Sequence, residues 1–288
     1  MRSIAKLMKD WQFTGPDGVT AAVALPHTWN AVDGQDGGND YWRGTCTYRT
    51  SFAAPAFDPA QQQVWLQFEG VNASAAVLLN GQQLCTHDGG YSTFRAEVTE
   101  LLQAENQLTV QVDNSVNDRV YPQKADFTFY GGIYRDVSLL VVNKNHIALG
   151  HFGDTGVKIT PDLKEGSADI QVETLVEGEG TVVVELLDAE DNSVARGEGE
   201  KASLHLDAPH LWNGVKDPYL YTCIVRLVED GKPVDEVTTK VGLRSFSVDA
   251  KKGFFLNGKP YPLHGVSRHQ DRKGLGNAIT RKMHDKHK

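Results

Sequence analysis

The segment Lys124-Ala125-Asp126-Phe127-Thr128-Phe129-Tyr130-Gly131-Gly132-Ile133-Tyr134 sets one carboxylate among four aromatic rings. Sugar sites use these parts: a ring lies against the C–H face of the sugar, and a carboxylate accepts from its hydroxyls. The same residues would also serve as an aromatic corner between two sheet layers, with Asp126 bonded to backbone, since aromatic side chains are more often core than ligand platforms. The residue types leave both readings open. A second stretch, Asp33-Gly34-Gln35-Asp36-Gly37-Gly38-Asn39-Asp40, is acidic and rich in glycine. Calcium loops place oxygen ligands at alternating positions and end on a bidentate Glu at the twelfth. Here the alternation fails and the twelfth position is Gly44. What remains is a loop whose Asn39 and Asp40 face a polar ligand, or a solvated turn.

The third stretch, His264-Gly265-Val266-Ser267-Arg268-His269-Gln270-Asp271, follows the apolar run Tyr261–Val266. His264 and His269 lie five apart, but no cysteine or further ligand completes a tetrahedral metal set. Polar residues after an apolar strand fit the C-terminal end of a barrel strand, where barrel enzymes keep their active-site residues. The other histidines suggest no ligand set. Nucleophile-elbow, zinc-protease, P-loop and dinucleotide fingerprints are absent from the sequence. A carboxylate pair for glycosidic cleavage is close in space rather than in sequence, so spacing does not reveal one.

The elements that would position these stretches read as strands. Val64, Leu66 and Phe68 alternate with Trp65, Gln67 and Glu69, as do Leu108, Val110 and Val112 with their polar neighbours. Asn80-Gly81 after an apolar run is a hairpin signal. A second β-rich region begins near Asn143: Ile170, Val172, Thr174 and Val176 share one face, Val182, Val184 and Leu186 another. Tyr219 to Leu227 alternates and turns at Asp230-Gly231 into Val234–Val241. About 100 residues with roughly seven strands is the size of an immunoglobulin sandwich, though without that fold's Cys…Trp…Cys spacing. Phe254 to Leu263 reads as a hairpin around Asn257-Gly258, and Thr280 caps a helix from Arg281 that is expected to be poorly ordered or absent. Residues beyond about Val266 are expected to be loosely packed.

Length favours about two domains. The net charge of −8 argues against nucleic acid and anionic membrane surfaces. Neither a spanning apolar run nor a signal-peptide core is seen. Cys46, Cys85 and Cys223 are odd in number and widely spaced, which reads as reduced, packed thiols in a cytoplasmic protein.

An ordered set of short motifs resembles the N-terminal part of glycoside hydrolases of family two, most closely the β-galactosidases. It runs Pro26-His27-Thr28-Trp29-Asn30, Gly37–Gly44, Phe68-Glu69-Gly70-Val71, Leu79-Asn80-Gly81, His87–Tyr91, Gly131–Val137, Val241-Gly242-Leu243-Arg244 and Phe255–Asp271. The resemblance implies an all-β fold: a jelly-roll β-sandwich of sugar-binding type (1–142), an immunoglobulin-like β-sandwich (143–244), and the incomplete start of a (β/α)8 catalytic barrel (245–288). Arg268-His269-Gln270-Asp271 looks like the β-galactosidase form of the barrel start, where glucuronidases carry a Lys-His-Glu-Asp-like form. By the same likeness Asp126 and His269 contact the galactosyl hydroxyls, and Asn39 and Asp40 approach the same subsite. The implied chemistry is retaining hydrolysis of terminal β-galactosides by two Glu residues of later barrel strands. Such a barrel needs about 250 residues, so the chain is expected to be a fragment, inert alone, with no catalytic residue or metal ligand of its own. Full-length members often use magnesium and sodium and form homo-oligomers. β-Glucuronidase specificity and a free-standing carbohydrate-binding module are the competing readings.

Overall fold

A computed structural model describes residues 1–33, 41–122, 124–125, 127–150 and 152–285. Contacts divide the chain into two compact units: Ser3–Val141 with Arg268–Lys288, and Val142–Ser267 with Met1–Arg2. The sequence reading set residues 245–288 apart as a third region; here 268–288 group with the first unit and 245–267 with the second. The fold is all-β, a jelly-roll sandwich followed by an immunoglobulin-like one.

The first unit contains β1 (Ser3–Lys6), β2 (Trp11–Thr14), β3 (Thr20–Val23), β4 (Thr45–Ala53), β5 (Gln62–Phe68), β6 (Val71–Asn72), β7 (Ser74–Leu79), β8 (Gln82–Asp88), β9 (Phe94–Glu97), β10 (Glu105–Asp113), β11 (Gly132–Ile133) and β12 (Val137–Asn143). They form a six-stranded sheet, β3-β2-β4-β10-β7-β8, a four-stranded sheet, β1-β12-β5-β9, and the short pair β11-β6. Period-two alternation explains the core. Val64, Leu66 and Phe68 of β5, and Leu108, Val110 and Val112 of β10, are fully enclosed together with Trp11 and Tyr48. Each such large apolar side chain contributes about 1.5–3 kcal/mol by burial. Asn80 and Gly81, both left-handed at φ 52° and 84°, make the tight β7–β8 turn.

The second unit contains β13 (His146–Ile147), β14 (Val157–Lys164), β15 (Ser167–Thr174), β16 (Val176–Glu177), β17 (Thr181–Leu187), β18 (Ser193–Glu198), β19 (Lys201–Asp207), β20 (Tyr221–Glu229) and β21 (Lys232–Val241). The sheets β14-β15-β19 and β18-β17-β20-β21 enclose Ile170, Val172, Val184, Leu186, Val225 and Leu227. Asp235 of β21 is fully enclosed as well; it accepts from Arg2 Nε at 2.8 Å and from the Ile147 backbone N–H at 2.9 Å. A three-stranded antiparallel sheet follows, made of β22 (Phe246–Asp249), β23 (Gly253–Leu256) and β24 (Lys259–Pro260).

The end of the described chain departs from expectation. Residues 262–270 are exposed, as a lone strand would be, but Ala278 and Ile279 are buried and a single helical turn, α1 (Arg281–Asp285), follows Thr280. The alternation test overlooks this docking because the docked stretch is irregular backbone held by individual contacts. Among the described residues no helix is long and apolar enough to cross a membrane.

The three cysteines are unpaired. Burial pushes the Cys46 thiol up to about 12 and Cys223 up to about 11, and raises Cys85 as well. Since the thiolate is the reactive form, the folded protein should react slowly with an aromatic disulfide reagent near pH 8. The denatured, unreduced protein should titrate three thiols. A count of one in the denatured state would reveal a bridge.

Candidate functional site

The aromatic segment 127–134 is held by three asparagines that the first unit buries, Asn30, Asn72 and Asn114. Asn72 Nδ2 donates to the Tyr130 carbonyl at 2.7 Å, and Asn114 Nδ2 to the Phe129 carbonyl at 2.9 Å. Asn30 Oδ1 accepts from the Gly131 N–H at 2.8 Å, while its Nδ2 donates to the Trp42 carbonyl at 2.9 Å. Buried polar groups must be paired, so this network fixes the backbone of an otherwise irregular segment. Sequence reasoning missed it, although each asparagine sits beside apolar or strand residues where a solvated amide has no obvious use.

The glycine pair has a steric reason. A Cβ on Gly131 would meet the Trp29 indole at 2.0 Å. Gly132 has φ +141°, and its Cβ would meet the His27 carbonyl at 2.4 Å. Behind them His27 Nδ1 and Tyr48 Oη lie 2.7 Å apart. Burial lowers the His27 pKa to about 4, so this imidazole is neutral at pH 7.

The rings divide between packing and surface. Phe127 and Phe129 are tilted neighbours at 5.1 Å, and the Arg43 guanidinium lies 5.0 Å above Phe129. Tyr134 donates to the Gly90 carbonyl, and burial pushes its phenol up to about 12. Tyr91 and Tyr121 remain exposed and flank a narrow cleft with Arg43 and Asn72. Within the segment itself Phe129, Tyr130 and Tyr134 are buried and Phe127 is half-buried, so its described rings pack as a corner and the exposed rings come from its neighbours.

Tyr130, itself buried, donates from Oη to Asp271 Oδ2 at 2.8 Å. A Cβ on Gly276 would stand 2.7 Å from the same ring, so Gly276 as well as Asp271 lies directly against Tyr130. Arg135 adds a hydrogen bond to the Asn277 carbonyl at 3.1 Å. The third chemical stretch is thus fastened to the first through Asp271, a residue that sequence reasoning had not singled out.

Of the expected site residues, Asn39, Asp40 and Asp126 lie outside the described residues. The flanks of the acidic loop are described: Asp33 accepts from the Trp42 N–H at 3.0 Å and from Asn30 Nδ2 at 3.2 Å. His269 is exposed, two residues before Asp271. Among the described residues no three His, Cys, Asp or Glu side chains gather as a metal would need. What the described arrangement offers chemically is orientation: rings, a guanidinium and an amide around a cleft of about 10 Å³, room for about one water.

Comparison with known proteins gives two family matches in chain order. Residues 37–173 match the family described as "Glycosyl hydrolase 2 galactose-binding domain-like", and residues 151–244 match "Glycosyl hydrolases family 2". A β-glucuronidase of Bacteroides fragilis is 36% identical over 97% of this chain and 43% of its own length. A β-galactosidase of Bacteroides ovatus is 30% identical over 96% of this chain and 36% of its own. The crystal structure of an FMN-binding β-glucuronidase from Facaelibacterium prausnitzii superposes with a TM-score of 0.95 at 37% identity, covering 100% of this chain and 46% of that one. The chain spans less than half the length of these relatives.

Proposed function

The chain belongs to glycosyl hydrolase family 2, and on that premise we propose that it supplies the substrate-side portion of a retaining β-glycosidase acting on a terminal β-glucuronide, with a β-galactoside as the second substrate to test. The observation that carries the reading is the Tyr130–Asp271 hydrogen bond, which joins the His264–Asp271 run to the aromatic segment around Asp126. On this reading Asp126 and His269 contact the sugar hydroxyls, and Asn39 and Asp40 approach the same subsite. Bond cleavage itself needs two carboxylates about 5–5.5 Å apart. Those fall to the part of the relatives that this chain does not span. A cytoplasmic location is part of the reading and draws on the three unpaired thiols.

The choice of sugar rests on two observations that pull apart. Relatives named as β-glucuronidases reach 36% and 37% identity, which favours the glucuronide. The Arg268-His269-Gln270-Asp271 sequence and the 30% identical β-galactosidase favour the galactoside. The test is turnover of aryl β-glucuronide and aryl β-galactoside by the full gene product. A preference for the glucuronide of roughly 10- to 150-fold in kcat/KM is expected, the size of one hydrogen bond to a charged group. The 288-residue chain alone should release neither aglycone. The opposite preference would make the enzyme a β-galactosidase. Turnover of neither glycoside by the full product would end both readings.

A further inference from the structure

The six-stranded sheet of the first unit turns two cross-strand rows outward at one end. The first row is Thr45, Asp113, Ser74 and Asp88; the second is Thr47, Gln111, Ala76 and Thr86. All of these but Thr47 line a trough of about 420 Å³, with Arg119 reaching in from the loop after β10. That volume lies within the roughly 300–1,000 Å³ of ligand sites. We propose that this trough binds a neutral oligosaccharide.

Composition is the first argument. A merely solvated sheet face carries alternating long charges, as on the second unit, where Arg196 bonds Glu185 at 2.6 Å and Arg226 bonds Glu236 at 2.8 Å. The trough rows hold no lysine or glutamate; they hold hydroxyls, one amide, two aspartates and an alanine. Short side chains lose little rotamer freedom when a ligand settles on them. Ala76 and Ser74 leave the floor low, so a flat ring can approach the sheet.

Preorganisation is the second. Thr45 Oγ1 donates to Asp113 Oδ2 at 2.6 Å, and Ser74 Oγ to Asp88 Oδ1 at 2.6 Å. Arg119 Nε donates to Asp88 Oδ2 at 2.8 Å. These bonds hold both carboxylates as oriented acceptors and leave further Arg119 N–H groups to donate. Hydroxyls that both donate and accept complement this set. A uronate or phosphate does not, because two carboxylates stand against one guanidinium. A protein partner would ask for an aromatic or apolar centre, and the centre here is Ala76 beside Ser74.

The proposal is independent of the glycosidase reading, because it is tested on the 288-residue chain, without turnover. Electrophoretic mobility in gels containing galactan, mixed-linkage glucan or arabinoxylan should fall for at least one of these neutral polysaccharides. Ala76→Trp fills the trough with a residue that strands favour and should weaken that retardation about tenfold, equivalent to about 1.4 kcal/mol. Gln111→Ala serves the same purpose if Ala76→Trp fails to fold. Ser51→Trp, on β4 away from the trough, should leave retardation unchanged. The proposal is overturned by any of four results: no retardation by any neutral polysaccharide; retardation that Ala76→Trp and Gln111→Ala both leave intact; retardation by polygalacturonate alone; or concentration-dependent self-association that Ala76→Trp abolishes, which would make this face a contact between copies.

Discussion

Asp235→Ala is expected to destabilise the second unit by about 3–5 kcal/mol, the range for removing one partner of a buried ion pair. The Asp235 side chain is completely enclosed and that of Arg2 is only 17% exposed. The carboxylate also receives the buried Ile147 N–H at 2.9 Å. Truncation therefore leaves a guanidinium without its counter-charge and an amide without an acceptor, each costly in a low-dielectric setting. Urea denaturation followed by the fluorescence of Trp212, which belongs to that unit, reads the loss. The double variant Arg2→Met, Asp235→Leu should recover most of it, because a buried pair costs nearly as much desolvation as it returns. A loss below about 1 kcal/mol for Asp235→Ala, the value of an exposed pair, would show that solvent reaches the bridge.

Asp126→Ala in the full gene product is expected to lower kcat/KM roughly 10- to 150-fold, the loss of one hydrogen bond to a charged acceptor. The melting temperature should hold, because Asn114 and Asn72 fix the neighbouring backbone at Phe129 and Tyr130. Asp126→Asn should fall between the two, since the amide fills only part of the acceptor role. A lower melting temperature with unchanged kcat/KM would assign Asp126 to the packing of the aromatic corner and leave His269 as the sugar-contacting candidate.

The strands were legible because alternation is a local signal. Val64, Leu66 and Phe68 are all completely enclosed, as their spacing requires. The turns were legible for the same reason: Asp230-Gly231 and Asn257-Gly258 take left-handed φ values of 46° and 74°, and 50° and 73°. The site was much less so. Its fastening is a Tyr130–Asp271 bond across 141 residues and an Asn30–Asn114 bond across 84. A periodic pattern says which face a residue occupies; it does not say what that residue meets. Asp235 illustrates the loss. It shares the inward face of β21 with Val237, yet within the alternating run it reads as one more polar position. The docking of residues 271–279 escaped for a related reason, since an irregular stretch carries no period to read.

The two units exchange their ends: Met1–Arg2 belong with the later one, and Arg268–Lys288 with the earlier. During synthesis this fixes an order of events. Asp235 leaves the ribosome 233 residues after its partner Arg2. At about 5–20 residues per second that is a wait of roughly 10–50 s, during which the Arg2 guanidinium lacks its Asp235 counter-charge. Tyr130 waits in the same way for Asp271, across 141 residues. The earlier sandwich is therefore not finished when its own strands have emerged. Completion of the earlier one is deferred until the later one has passed through the ribosome, so a pause or a cut between Val142 and Ser267 leaves both units incomplete.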